Sequence, residues 1–83
     1  MIGKIWTSII ENEGQIFKQI KGKEFTYQIV GNGLKLSTTN QIISKFVIEK
    51  ASELLPVKNT VPFQHLRAPS YLYAILTDKR IIG

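Results

Sequence analysis

Between Glu24 and Ser37 apolar and polar side chains alternate, and the alternation turns around at Gly31-Asn32-Gly33. A period of two sends successive side chains to opposite faces of a strand. Phe25, Tyr27 and Ile29 therefore share one face, with Glu24, Thr26 and Gln28 on the other. Asn-Gly is the favoured centre of a two-residue type I′ hairpin, because both positions need positive φ. With Asn32 and Gly33 at that centre, Gly31 pairs with Leu34, Ile29 with Leu36 and Tyr27 with Thr38. Leu34 and Leu36 then join the apolar face, and Lys35 and Ser37 the polar one. Such a hairpin must bury one side of a small antiparallel sheet and can leave the other open.

The segments around it read in turn. Ile2, Ile5, Trp6, Ile9 and Ile10 recur at the helical period, and Asn12 and Gly14 supply residues suited to ending that helix. Gln15–Ile20 is expected to be a third strand, joined through Lys21-Gly22-Lys23, with Ile16 and Ile20 facing one way and Phe17 the other. Ser44 is the expected N-cap of a second helix, with Ile43 and Ile48 as a hydrophobic staple and Lys45 to Glu49 as an i,i+4 ion pair. Val47, Ile48, Ala51, Leu54 and Leu55 form its apolar stripe, and Pro56 stops it. Residues 57–68 show no period and read as an ordered loop. Tyr71–Leu76 suits a helix opened by Pro69-Ser70, or a strand on its β-rich content; the helix is preferred.

The expected fold is α+β: one N-terminal helix, a three-stranded antiparallel meander, and one or two C-terminal helices packed on one face. Eighty-three residues without a repeat or a linker make residues 1–83 a single domain. No cysteine is present, which removes disulfides, zinc-thiolate centres and thiol catalysis. Packing alone must hold so small a core together. No apolar run approaches the roughly 20 residues a membrane helix needs, and no leader is evident, so a cytoplasmic domain without a membrane role is expected.

Enzymatic chemistry finds little to work with. His65 is the sole histidine and has no second imidazole for a metal. Glu11 and Glu13 diverge at a helix end, while Glu49 and Glu53 sit on a face flanked by Lys45 and Lys50. No nucleophile elbow is present, and Gly31-Asn32-Gly33 lacks the rest of a phosphate loop. The expectation is a protein that is not an enzyme and uses no cofactor and no metal.

Charge is more informative. Eleven Lys and Arg against six Asp and Glu give a net +5, and residues 14–48 hold most of the excess. Lys18, Lys21, Lys23, Lys35 and Lys45 lie there against Glu24 alone. With Thr39 and Asn40, which lead towards a helix start, they form a candidate surface for nucleic-acid phosphates. A net +5 also serves solubility, and nine of the eleven cations are lysine, whereas base reading usually draws on arginine. Arg67 and Arg80 are the only residues for that role. No zinc finger, ribonucleoprotein motif or convincing helix-turn-helix appears. The expected function is a small phosphate-contacting nucleic-acid-binding accessory domain. The alternative is a protein-interaction or homodimerisation module, its surface built from whichever of Phe17, Phe46, Phe63, Tyr71, Tyr73 and the Ile81-Ile82-Gly83 end stays out of the core.

Overall fold

Ile5, Trp6 and Ile9 line the inner side of α1 (Ile2–Glu11) and are buried. The computed structural model describes residues 2–82, the side chain of Ile2 excepted, so the parts expected of that side chain and of Gly83 lie outside the described residues. Ile10 was expected on the same stripe but is 44 % exposed, because one residue of helix rotates it about 100° away from Ile9. The helix ends where the sequence suggests, with Gly14 in the left-handed region at φ 85.

Two antiparallel sheets follow. β1 (Phe17–Lys18) pairs with β2 (Glu24–Phe25) as a short ribbon, and β3 (Tyr27–Val30), β4 (Gly33–Leu36) and β5 (Ile42–Ser44) form a three-stranded meander. The α+β class therefore stands, with C-terminal helices packed against the strands. The third meander strand differs from expectation: it is Ile42–Ser44, whereas Gln15–Ile20 contributes only the Phe17–Lys18 ribbon strand. Three residues are too few to display a period, so β5 was invisible to pattern. Within residues 15–20 the single aromatic, Phe17, goes inward, and Ile16 and Ile20 stay 57 % and 63 % exposed. Phe17 stacks with Phe25 at 6.0 Å and meets Tyr27 at 5.4 Å between ring centroids, burying more area than either isoleucine could there.

The hairpin exists but turns one residue earlier than expected, which shifts the strand pairing by two. Val30 pairs with Gly33, Ile29 with Leu34 and Tyr27 with Leu36, so Gly31 and Asn32 form the turn. Positive φ is confined to Gly31 (φ 58) within this turn, as in a type II′ rather than a type I′ connection. A shift of two leaves every side chain on its expected face, which is why face pattern alone could not fix the register. Gly33 has a separate duty. A Cβ there would lie 2.9 Å from the Ile43 carbonyl oxygen and 3.1 Å from Ile42 Cγ2, so glycine lets β5 close against β4.

The outer edge of β3 is covered by the α1–β1 connection. The Gly14 N–H donates to the Tyr27 carbonyl (3.1 Å), and the Ile29 N–H donates to the Glu13 carboxylate (2.7 Å). Tyr27 ties sheet to helix through its hydroxyl, which donates to the Ile9 carbonyl at 2.6 Å. Burial pushes that hydroxyl's pKa well above its ordinary value.

α2 (Lys45–Ser52) starts at Ser44, whose hydroxyl accepts from the Val47 N–H at 3.3 Å. Ile43 and Ile48 are both fully buried, in keeping with the staple. The Lys45–Glu49 ion pair is absent; the one ion pair among the described residues joins Arg80 and Asp78. Lys45 instead stands over the Trp6 ring, 5.9 Å from its centroid. α2 closes at Ser52, before Pro56, so Leu54 lies beyond it and is 39 % exposed. Within the loop a 3-10 turn at Val61–Phe63 drives Phe63 into the core.

α3 (Pro69–Leu76) takes the helical alternative, with Tyr71, Leu72, Ala74, Ile75 and Leu76 buried. A helix apolar on nearly every side belongs at the centre, and this one does. Ala68 caps it in a left-handed conformation (φ 54, ψ 58) immediately before Pro69. An L-residue with a Cβ is disfavoured there by about 1–2 kcal/mol. Ala68→Gly should therefore raise stability by about 0.5–1 kcal/mol after glycine's extra unfolded-state entropy is deducted, measurable by urea denaturation. α4 (Lys79–Ile82) folds back so that Ile81 is buried against α1, and Ile82 is 49 % exposed. Of the unassigned aromatics, Phe17, Phe63 and Tyr71 enter the core, Tyr73 is half-buried and Phe46 is 64 % exposed.

Candidate nucleic-acid interface

The apolar face of the meander is spent on the core, which leaves its other face open. Burial alternates without a break from Glu24 to Val30, so Thr26 and Gln28 point outward with Glu24. Pairing then orders the open face in rows. Gln28, Lys35 and Ile42 stand side by side, and Val30, Gly33 and Ser44 form the next row. On the other side of Lys35, Thr26 lies beside Ser37: the Ser37 N–H donates to the Thr26 carbonyl and the Thr26 N–H to Ser37 Oγ, each at 2.9 Å.

Thr26, Gln28, Lys35, Ser37, Thr39 and Asn40 line one polar depression of about 310 Å³. Its donors are prepared. Ser37 Oγ accepts from the Thr26 N–H and Thr39 Oγ1 accepts from the Gln41 N–H (3.0 Å), so each hydroxyl proton is free to donate outward. Lys35 has no carboxylate partner among the described residues. A hydrogen bond between the Thr38 and Tyr71 hydroxyls anchors the β4–β5 loop on α3, 33 residues away in sequence. One ammonium, several hydroxyls and two amides in one concavity suit a tetrahedral oxyanion far better than any acid–base step.

The seven candidate residues divide into three groups. Lys35, Thr39 and Asn40 come together in the depression. Lys18, Lys21 and Lys23 belong to the ribbon and its turn and are exposed. Lys18 stands directly opposite Glu24, and Glu24 continues into β3 with the parity of the open face, so the ribbon extends that face at one end. Lys45 stands apart, half-buried with its ammonium over Trp6 towards the helical layer.

Arg80 is structural. Its Nη2 donates to the Ile16 carbonyl (2.8 Å), its Nε and Nη2 reach the Asp78 carboxylate (both 2.9 Å), and its guanidinium lies 4.0 Å from the Phe17 ring centroid. That hydrogen bond holds the Asp78 carboxyl below the usual carboxylate range. A guanidinium so committed is unavailable for reading bases, which leaves exposed Arg67. His65 is likewise exposed in its loop, and among the described residues no three His, Asp or Glu side chains gather as metal ligands. No described helix is long and apolar enough to cross a membrane.

Sequence reading missed an apolar cleft of about 600 Å³ between the helices, lined by Ile5, Leu55, Val57, Leu76 and Ile81, with Lys4 also on its wall. Its residues come from four segments that share no local pattern, so no sequence signal marks it. No protein-family model, no curated protein and no solved structure matches this chain.

Proposed function

We propose that the chain is a nucleic-acid-binding accessory domain that contacts mainly phosphates, through the open face of the meander. The observation carrying this reading is the polar depression, where Lys35 is surrounded by Thr26, Gln28, Ser37, Thr39 and Asn40. Lys18, Lys21 and Lys23 extend the positive surface along the ribbon. Four lysine–phosphate contacts give a slope of log affinity against log salt of about −3 to −4 on duplex DNA. Affinity is then on the order of micromolar to 100 micromolar at physiological salt and largely indifferent to sequence.

Titration of a labelled oligonucleotide at two salt concentrations tests it. Lys35→Glu is expected to weaken binding several-fold and to flatten the slope by about 1, and Lys21→Glu with Lys23→Glu to flatten it by about 2. Neither change touches the core, so the thermal midpoint should hold. The apolar cleft favours a second reading, a protein-interaction module, because exposed apolar concavities suit partner side chains. Absence of any complex near about 50 mM salt would hand the function to that reading.

A further inference from the structure

Two aliphatic side chains lie on the open face beside the polar depression. Val30 and Ile42 are each 47 % exposed, although both sit on regular strands where a polar residue would do. Ile42 stands directly across from Lys35, and Val30 follows Gln28 by one step on the same face. Ile42 also leans over β4, its Cγ2 only 3.1 Å from where a Gly33 Cβ would be, and Gly33 itself puts no side chain between Ile42 and Val30. The two aliphatic side chains thus lie on a diagonal, Ile42 beside Lys35 in one row and Val30 in the next, adjoining the cationic and polar part of the face.

Lys35 and the two aliphatic side chains are within one nucleotide of each other. Neighbouring strands are about 4.8 Å apart and successive same-face rows about 6.8 Å apart, distances of the order of a nucleotide's phosphate-to-base reach. Duplex DNA offers a flat sheet its phosphates and sugars, and those would desolvate against Val30 and Ile42 with nothing gained. An unpaired strand can turn base faces onto them while its phosphates stay with Lys35, Ser37 and Thr39.

From this we infer that the site takes single-stranded nucleic acid in preference to duplex, with phosphates at Lys35 and bases over Val30 and Ile42. The inference rests on the phosphate-binding reading and names its substrate. Fluorescence anisotropy with oligothymidylate of about 12 nucleotides, and with its duplex with oligodeoxyadenylate, tests it on the full chain. The single strand is expected to bind about tenfold more tightly at matched salt. Val30→Thr with Ile42→Thr keeps the β-branched shape, and should reduce single-strand affinity about fivefold without lowering duplex affinity. Equal binding of both forms, with Lys35→Glu weakening both, would overturn the single-strand preference and keep the phosphate reading. Equal losses on both forms in the threonine variant would overturn the placement of bases over Val30 and Ile42. No binding of either form near about 50 mM salt would overturn the phosphate reading and this inference with it.

Discussion

Gly33→Val is expected to destabilise the fold by about 3 kcal/mol, through overpacking and a displaced strand. The cause is contact rather than backbone conformation. A Cβ at position 33 would press on the Ile43 carbonyl at 2.9 Å and on Ile42 Cγ2 at 3.1 Å, and the two further methyls of valine have no room. β5 would have to lift from β4, and Ser44, which caps α2, would move with it. For a domain of this size the thermal midpoint should fall by about 15 °C. Gly31→Ala makes the contrast: nothing lies within 4 Å of its Cβ position, and the cost is the left-handed backbone alone, about 1–2 kcal/mol. No loss at Gly31→Ala, with the cost confined to position 33, would instead place the turn at Asn32-Gly33, where Gly31 is an ordinary strand residue. A close Hα–Hα contact between Tyr27 and Leu36 would establish the register independently, since these residues are direct partners.

Arg80→Ala comes next in size, at about 2 kcal/mol. The side chain joins α4 to the ribbon through the Ile16 carbonyl, Asp78 and the face of Phe17. Hydrogen bonds involving a charged group contribute about 1.5–3 kcal/mol, and partial exposure of this pair (39 % and 24 %) lowers the figure. Arg80→Lys should recover less than half, because an ammonium cannot reach both Asp78 oxygens and stack on a ring together. The pair also sets an acid dependence. Asp78 has its carboxyl pKa lowered in the folded state by the Arg80 hydrogen bond, so the native state binds that proton less readily than the unfolded chain. Its contribution is complete above the ordinary carboxylate pKa and is lost as pH falls below about 4. Urea midpoints measured across that range should decline less steeply in Asp78→Asn than in the natural chain.

These two sites show where sequence carries structure and where it does not. Alternation from Glu24 to Ser37 identified the faces of the hairpin, and the open face with Lys35, Thr26, Gln28 and Ser37 follows from parity alone. Register did not follow, because a shift of two preserves parity and three glycine-rich turn residues offered two centres. Which glycine serves the turn is decided by β5, a strand too short to announce itself. The capping of α2 by Ser44 was legible because it is local. Arg80 was not: its partners Ile16 and Phe17 lie more than 60 residues away, so an arginine near the C-terminus looked as available as Arg67. For the same reason Lys45 resembled its neighbours in sequence, until the packing of α1 on α2 put Trp6 beneath it.

The central claim is that the open face of the meander receives nucleic acid. Titration of isotope-labelled protein with oligothymidylate, followed by amide chemical shifts, tests it most directly. The expected result is perturbation concentrated at Thr26, Gln28, Lys35, Ser37, Thr39 and Asn40, extending to Lys18 and the ribbon turn, with Ile5, Leu55 and Ile81 unmoved. Shifts confined to the apolar cleft around Leu55, Val57 and Ile81, or no shifts at all at low salt, would contradict it.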